Sequence, residues 1–454
     1  MTTRSRLAKI VAVTALGALL LSACGSGGDS ESGGDGKKET IEMWFWGAPP
    51  AHQESLKTNL VDKFNASQDK VTLEVTFNER VDSNIQTALS ANGGPDIVYG
   101  SGPSFVSPFA KAGKLVNLDE YSKKYGWGDR ILEPIYQSGT VDGSLYALAN
   151  SINTVGIFYN KAVLDELGQE IPTTIEELET VLTAAGDAGL YPSVTGNKGW
   201  QPVNENYSSM FLTAVAGPDA MYDVLNGDAQ WTDQPFVDAV EMSAKWYQNG
   251  FLGGGQYLNL NFNESMQLLA DNQSPFFFGP TLAFQFATEF FNDENGNVDD
   301  LGFIPFPTVG AGLEDDLFTL ATTASFSINA ASKHQDEAAE VIDFMMTEDF
   351  MKIMTEDWPG YWGVPLKGLE LDPANFTGLS ATYADAINKI IPAVEDGRFG
   401  YFTGTFFPPQ TQQELVNIDM VWLGQQDATS FLESVEATFA SELESGAVPP
   451  IPKP

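Results

Sequence analysis

The chain has 454 residues, 61 of them acidic and 23 basic, for a formal charge of -38 at pH 7. A surface of that sign repels nucleic acid and anionic lipid headgroups, so neither is expected as a partner. With two histidines, His52 and His334, and one cysteine, Cys24, no histidine-based metal or catalytic cluster, intramolecular disulfide or cofactor is expected.

Arg4, Arg6 and Lys9 precede an apolar run from Ile10 to Leu21. The run is shorter than the roughly 20 apolar residues that span a bilayer, so residues 1–23 read as a signal peptide. Leu21-Ser22-Ala23-Cys24-Gly25 resembles a bacterial lipobox, which implies cleavage before Cys24 and its acylation, palmitate included. The rest of residues 24–39 is rich in Gly, Ser and Asp and cannot bury enough apolar surface to order itself, so it reads as a flexible tether. A lipid followed by a Gly/Ser tether points to a Gram-positive, extracytoplasmic protein that meets the cell membrane only through the lipid on Cys24.

The remaining length suggests two domains. Ile41 to Trp46 reads as a strand ended by Gly47 and Pro49-Pro50. Leu56, Leu60 and Phe64 recur every fourth residue and predict a helix. Val71, Leu73, Val75 and Phe77 alternate as a second strand, Ile85 and Leu89 predict a helix, and Asp96 to Tyr99 a third strand, with Asp96 bonding backbone near its loop. Further strands are predicted at Ile157–Tyr159, Ser274–Gly279 and Ala324–Asn329. Helices are predicted around Phe236–Tyr247 and Lys333–Glu348, and one opens at Thr174 with Glu177 closing a capping box. Strand and helix alternate, which argues for an α/β architecture with a largely parallel sheet and ligands at the carboxyl ends of strands.

Several segments then resemble a known family. Asp142-Gly143-Ser144-Leu145-Tyr146-Ala147-Leu148-Ala149, Ile157-Phe158-Tyr159-Asn160-Lys161 and Ile171-Pro172-Thr173-Thr174-Ile175-Glu176-Glu177-Leu178 look like the signature of family 1 extracellular solute-binding proteins, which serve carbohydrate ABC importers. Gly94-Pro95-Asp96-Ile97-Val98, Ala331-Ser332-Lys333 and Trp362-Gly363-Val364-Pro365 resemble further elements of that family in the same order. Two departures stand out. Ala149 takes the place of a common proline, and Gly279-Pro280-Thr281 replaces a segment that often ends in a stacking tryptophan. The resemblance implies a two-lobed, periplasmic-binding-protein-like α/β fold with hinge strands and a cleft between the lobes. One lobe is expected at residues 40–150 plus 303–348, the other at 151–302 plus 349–454. It also implies a monomer that holds a small-molecule carbohydrate and meets the transmembrane permease subunits of an ABC importer.

A sugar presents hydroxyls around a ring with apolar C–H faces. Its site needs flat aromatic side chains for the faces and amide, carboxylate or guanidinium groups for the hydroxyls. On that chemistry Trp46, Asn78, Glu79, Tyr99 and Ser101 are candidates at strand ends, and Asn153 at the first lobe crossing. Trp200 and Gln201 follow, in a Gly- and Asn-rich loop that also holds Asn204 and Asn206. Thr281 and Phe284 occupy the substituted stacking position. Trp358, Tyr361 and Trp362 form a cluster broken by Pro359-Gly360, and Arg398 lies beside Phe399, Tyr401 and Phe402. Separate aromatic loops favour a short oligosaccharide over a single sugar. No catalytic residue is expected. A glycoside hydrolase would need two carboxylates roughly 5–9.5 Å apart, which so acidic a chain satisfies trivially, and no G-x-S-x-G, H-E-x-x-H or P-loop motif occurs. A binding protein of the same fold for a non-sugar solute is the alternative.

Overall fold

A computed structural model describes residues 38–363 and 365–454. Residues 1–23, expected as a signal peptide, Cys24 with its expected lipid, nearly all of the expected tether, and Val364 lie outside the described residues.

Strand β1 (Glu39–Trp46) opens the fold. Ile41, Met43 and Phe45 are buried on one face, while Glu42, Trp44 and Trp46 are half-buried on the other, as the period of two demands. A helical segment over residues 50–67 follows, with π-helical geometry from Lys57 to Asp62, and it buries Leu56, Leu60 and Phe64 as their spacing predicts. Strand β2 (Val71–Asn78) pairs parallel with β1 along its whole length. Helix Val81–Ser90 then turns Val81, Ile85 and Leu89 inward. Strand β3 (Ile97–Gly100) lies parallel on the far side of β1. Asp96 fastens that junction. Its carboxylate accepts from the backbone N–H of Glu42 at 2.9 Å and from Ser332 Oγ at 2.6 Å.

A hairpin of β4 (Thr140–Val141) and β5 (Ser144–Leu145) turns through Asp142 and Gly143, both with positive φ, the pattern of a type I′ turn. Strand β6 (Leu148–Ala149) leads to β7 (Val155–Asn160). After a helical excursion that includes the expected Thr174/Glu177 capping box, β8 (Phe276–Pro280) and β9 (Leu301–Pro305) flank β7, both antiparallel to it. Strand β10 (Phe318–Leu320) precedes β11 (Ser325–Ile328), and β12 (Phe399–Tyr401) pairs parallel with β10.

The first sheet therefore runs β2-β1-β3-β11-β6, the second β8-β7-β9, with β10-β12 as a separate ribbon. The expectation of a largely parallel arrangement needs correction. Strand β11 is antiparallel to both β3 and β6, and the second sheet has no parallel pair. The physical reason is the route of the chain. It reaches β11 from the other sheet rather than by a helical crossover on its own, so it enters from the opposite end.

Three passages between the sheets lie side by side. Asn153 and Ala321 exchange backbone hydrogen bonds at 2.8 Å in each direction, and Ile152 N donates to Gly363 O at 2.8 Å. Asn150 ties all three. Its Oδ1 accepts from Ala324 N at 2.9 Å and its Nδ2 donates to Tyr361 O at 3.1 Å. The expected lobe limit at 303 falls inside β9, which pairs with β7 throughout. The limit at 349 falls inside helix Glu348–Asp357, whose following residues pack on the first sheet.

Candidate functional site

A cavity of about 480 Å³ opens beside these passages. One wall is the crossing chain, with Asn153, Ala321, Thr322 and Thr323. The other comes from the second sheet and its loops, with Trp200, Asn206, Phe262, Asn263, Phe277, Leu282, Phe286 and Phe402 among its residues. The volume is that of a small-molecule site, roughly 300–1,000 Å³.

Trp200 is 63% exposed at this cavity. Its loop is nonetheless held from beneath. Gly199 takes φ +82°, and Trp200 N donates to Asn197 O at 3.0 Å. The amide of buried Asn204 accepts from Tyr257 OH at 2.6 Å and donates to Val416 O at 2.7 Å. Gln201 reaches toward the Asp419 carboxylate at 3.5 Å. An indole with a fixed base and an open face is suited to a flat ligand face.

Asn153 lines the cavity, but its amide serves the hinge. Nδ2 donates to Ser151 Oγ at 2.9 Å and to Thr323 Oγ1, while Oδ1 accepts from Thr281 Oγ1 at 2.7 Å. Thr281 is itself fully buried by that bond, and its oxygen also accepts from Thr154 N. Phe284, expected as a stacking residue, is fully buried with its ring 4.8 Å from that of Phe158. Trp358 and Trp362 are likewise closed to solvent. Trp358 stacks between His52 and Tyr361, each at 4.4 Å, and donates Nε1 to Gln285 Oε1 at 2.8 Å. Trp362 stacks on Phe45 and Phe326 within 7° of parallel. Arg398 stands apart from the cavity, near Asp396 at 3.6 Å.

The first lobe's candidates gather at the carboxyl ends of β1 to β3. Trp46 is half-buried and tilts over Tyr361 at 5.7 Å. Tyr361 OH donates to Tyr99 OH at 3.3 Å, and burial pushes the Tyr99 phenol up to about 12. Glu79 is exposed, its carboxylate lying where a Cβ on Gly47 would come within 2.6 Å. Asn78 is half-buried and Ser101 exposed at the same edge.

Sequence reasoning missed several groups here. Asp82, at the start of its helix, has a buried oxygen with no hydrogen-bond partner, and burial raises its carboxyl. His52, under Trp358, is held down to about 4 by burial. Glu205 is buried beside Gly404 and pushed up to about 7 by desolvation, opposed by Gln412, whose Nε2 donates to it at 2.9 Å. Phe262, Phe277 and Phe286 carried only a core signal in the sequence, because their spacing is that of ordinary strand and helix faces. Among the described residues no group of three or more His, Cys, Asp or Glu is placed to hold a metal ion. None of the residues lining the cavity is charged. The arrangement can hold an uncharged ligand that offers flat faces and hydrogen-bonding groups.

A sequence profile described as bacterial extracellular solute-binding protein matches residues 49–352. A protein of Rhizobium meliloti described as "Probable sugar-binding periplasmic protein" is 29% identical over 233 residues, covering 48% of this chain and 54% of that protein. The multiple sugar-binding protein of Streptococcus mutans is 22% identical over 211 residues, covering 46% and 47%. The chain thus spans about half the length of these relatives. Among solved structures, a chitin oligosaccharide binding protein superposes with a TM-score of 0.71 at 19% identity, covering 89% of this chain and 100% of that one. A maltose-bound protein of T. maritima gives 0.69 at 17%, covering 89% and 99%. At such identities these structures share the two-lobed fold with this chain.

Proposed function

The chain belongs to the family of bacterial extracellular solute-binding proteins, and on that premise we propose that it captures a short oligosaccharide beside its lobe crossings and delivers it to an ABC importer. The observation that carries this reading is the cavity's lining. In a chain with 61 acidic residues, the cavity has amides, hydroxyls and aromatic rings but no charge, which matches the chemistry of a neutral sugar. Trp200 lies under one ring face. Asn206, Asn263 and Thr322 meet hydroxyls, and Thr322 Oγ1, buried without a partner, gains one from the ligand. Trp46, Asn78, Glu79, Tyr99 and Ser101 meet the sugar from the first lobe as the lobes close about the three crossings. Thr281, Phe284, Trp358, Tyr361 and Trp362 hold the surrounding framework.

The names of the relatives and neighbours, sugar-binding and chitin oligosaccharide binding among them, support a carbohydrate ligand. The family is one of binding proteins, and the role here is capture without chemistry. The protein acts outside the cytoplasm, as a monomer, anchored by a lipid on Cys24 after removal of residues 1–23, with the permease and ATPase as separate chains.

Thermal denaturation against di- to tetrasaccharides, with amino acids, polyamines and metal ions as controls, tests the ligand class. A selective rise in Tm with one saccharide series supports it. A rise with another class and none with sugars overturns it. Metabolic labelling with an alkyne fatty acid tests the anchor, and retention of label by Cys24→Ala would sink it.

A further inference from the structure

The cavity is divided in its chemistry. Six of its lining residues have amide or hydroxyl side chains, but three of these are engaged by the fold. Asn153 is bonded to Ser151, Thr323 and Thr281. Thr195 Oγ1 donates to the carbonyls of Val194 and Phe278 and accepts from Phe278 N. Thr323 Oγ1 in turn accepts from Asn153. That leaves Asn206, Asn263 and Thr322 in this cavity, enough for the hydroxyls of about one sugar ring.

The rest of the wall is apolar. Phe262 stands edge-on to Phe277 at 5.6 Å and to Phe286 at 5.4 Å, at 85° and 71°, so the three rings brace one another. Leu282, Val203 and Phe402 complete this side. These side chains offer a second sugar ring no hydrogen-bond partner. A hydroxyl buried against them has no partner, which is penalised. A group with no hydroxyls loses nothing there and gains by leaving water.

Resting on the carbohydrate reading above, we infer that the saccharide is an uncharged glycoside with an apolar substituent. The sugar ring next to that substituent is held at Trp200, Asn206, Asn263 and Thr322. The aryl or branched alkyl aglycone enters the pocket of Phe262, Phe277, Leu282 and Phe286. The cavity is then a two-part site that selects for the substituent as well as the sugar.

Isothermal titration of the purified protein with matched pairs tests this: glucose, xylose, N-acetylglucosamine and maltose, each beside its p-nitrophenyl glycoside, with p-nitrophenol alone as a control. For at least one pair the aryl glycoside binds tenfold or more tightly than the free sugar, with a more negative heat-capacity change. The ratio of the two affinities falls toward one in Phe286→Asn and in Leu282→Asn. Two separate variants, and the heat-capacity change of the unaltered protein, keep the test decisive if one variant misfolds. Free sugars that bind with every ratio within twofold overturn the two-part site and leave the carbohydrate reading standing. No binding by any sugar or glycoside overturns both. Binding of p-nitrophenol as tight as that of its glycosides also overturns the inference, because the sugar then contributes nothing.

Discussion

Two loops of this protein look alike in sequence and end in opposite environments. Trp200 follows Gly199, and Trp358 and Trp362 flank Pro359-Gly360. Trp200 is 63% exposed, while Trp358 and Trp362 are fully buried. The loop signal is the same in both cases, glycine or proline beside an indole. What differs is the cover. His52, Tyr361 and Gln285 close around Trp358, and Phe45 and Phe326 pack near-parallel against Trp362. Beneath Trp200 the buried Asn204 amide fixes only the loop's base. An aromatic loop is thus buried or exposed according to what distant parts of the chain bring to it.

The sharpest way to break this contrast is Trp358→Ala. It removes a ring stacked on both faces and leaves Gln285 without its donor, so it should cost about 3–5 kcal/mol. Urea denaturation reads the loss, and a cost under about 1 kcal/mol would mean the loop is not core. Gly360→Ala probes the same loop through its backbone. Gly360 has φ +87°, and an added Cβ would sit 2.5 Å from Thr281 O. The expected cost is roughly 1–3 kcal/mol, with an unchanged Tm as the contrary result.

Glu205 sharpens the comparison from the other side, since it is a buried acid close to Phe402 of the cavity wall. Its carboxyl is raised from 4.5 to about 7, so between those values the folded state binds more protons than the unfolded one. Stability contributed by the neutral carboxyl is present at low pH and is lost as pH rises from about 4.5 through 7. Glu205→Gln should flatten that slope and stabilise the protein above pH 7 by on the order of 2 kcal/mol. Denaturation series at pH 4.5, 6 and 8 check this, and a variant with the parent's slope would refute it. The smallest effect on stability is that of Trp200→Ala, within about 0.5 kcal/mol. On the proposed function it lowers saccharide affinity at least tenfold, and titration that finds affinity unchanged removes Trp200 from the site.

Much of the fold was legible. The alternation in β1 and β2, the i, i+4 faces and the Thr174 capping box are local signals, and local physics decides them. The antiparallel entry of β11 was not legible, because it depends on the chain having come from the other sheet. Nor were the burial of Thr281 and Phe284, which rests on bonds to Asn153 and packing on Phe158 more than a hundred residues away in sequence. At the cavity, the Trp200 loop and Asn153 were readable from composition and position. Phe262, Phe277 and Phe286 were not, since an apolar residue on a regular face looks the same whether it meets another element or an opening.

The Asn150 side chain gives the junction between the lobes a built-in clock. By accepting from Ala324 N while donating to Tyr361 O, it seals one backbone proton under a bond that joins all three crossings. That proton trades for deuterium only when the junction itself loosens. The exchange rate at Ala324 is therefore a timer of inter-lobe breathing, readable by mass spectrometry on the unmodified protein with no label on either lobe.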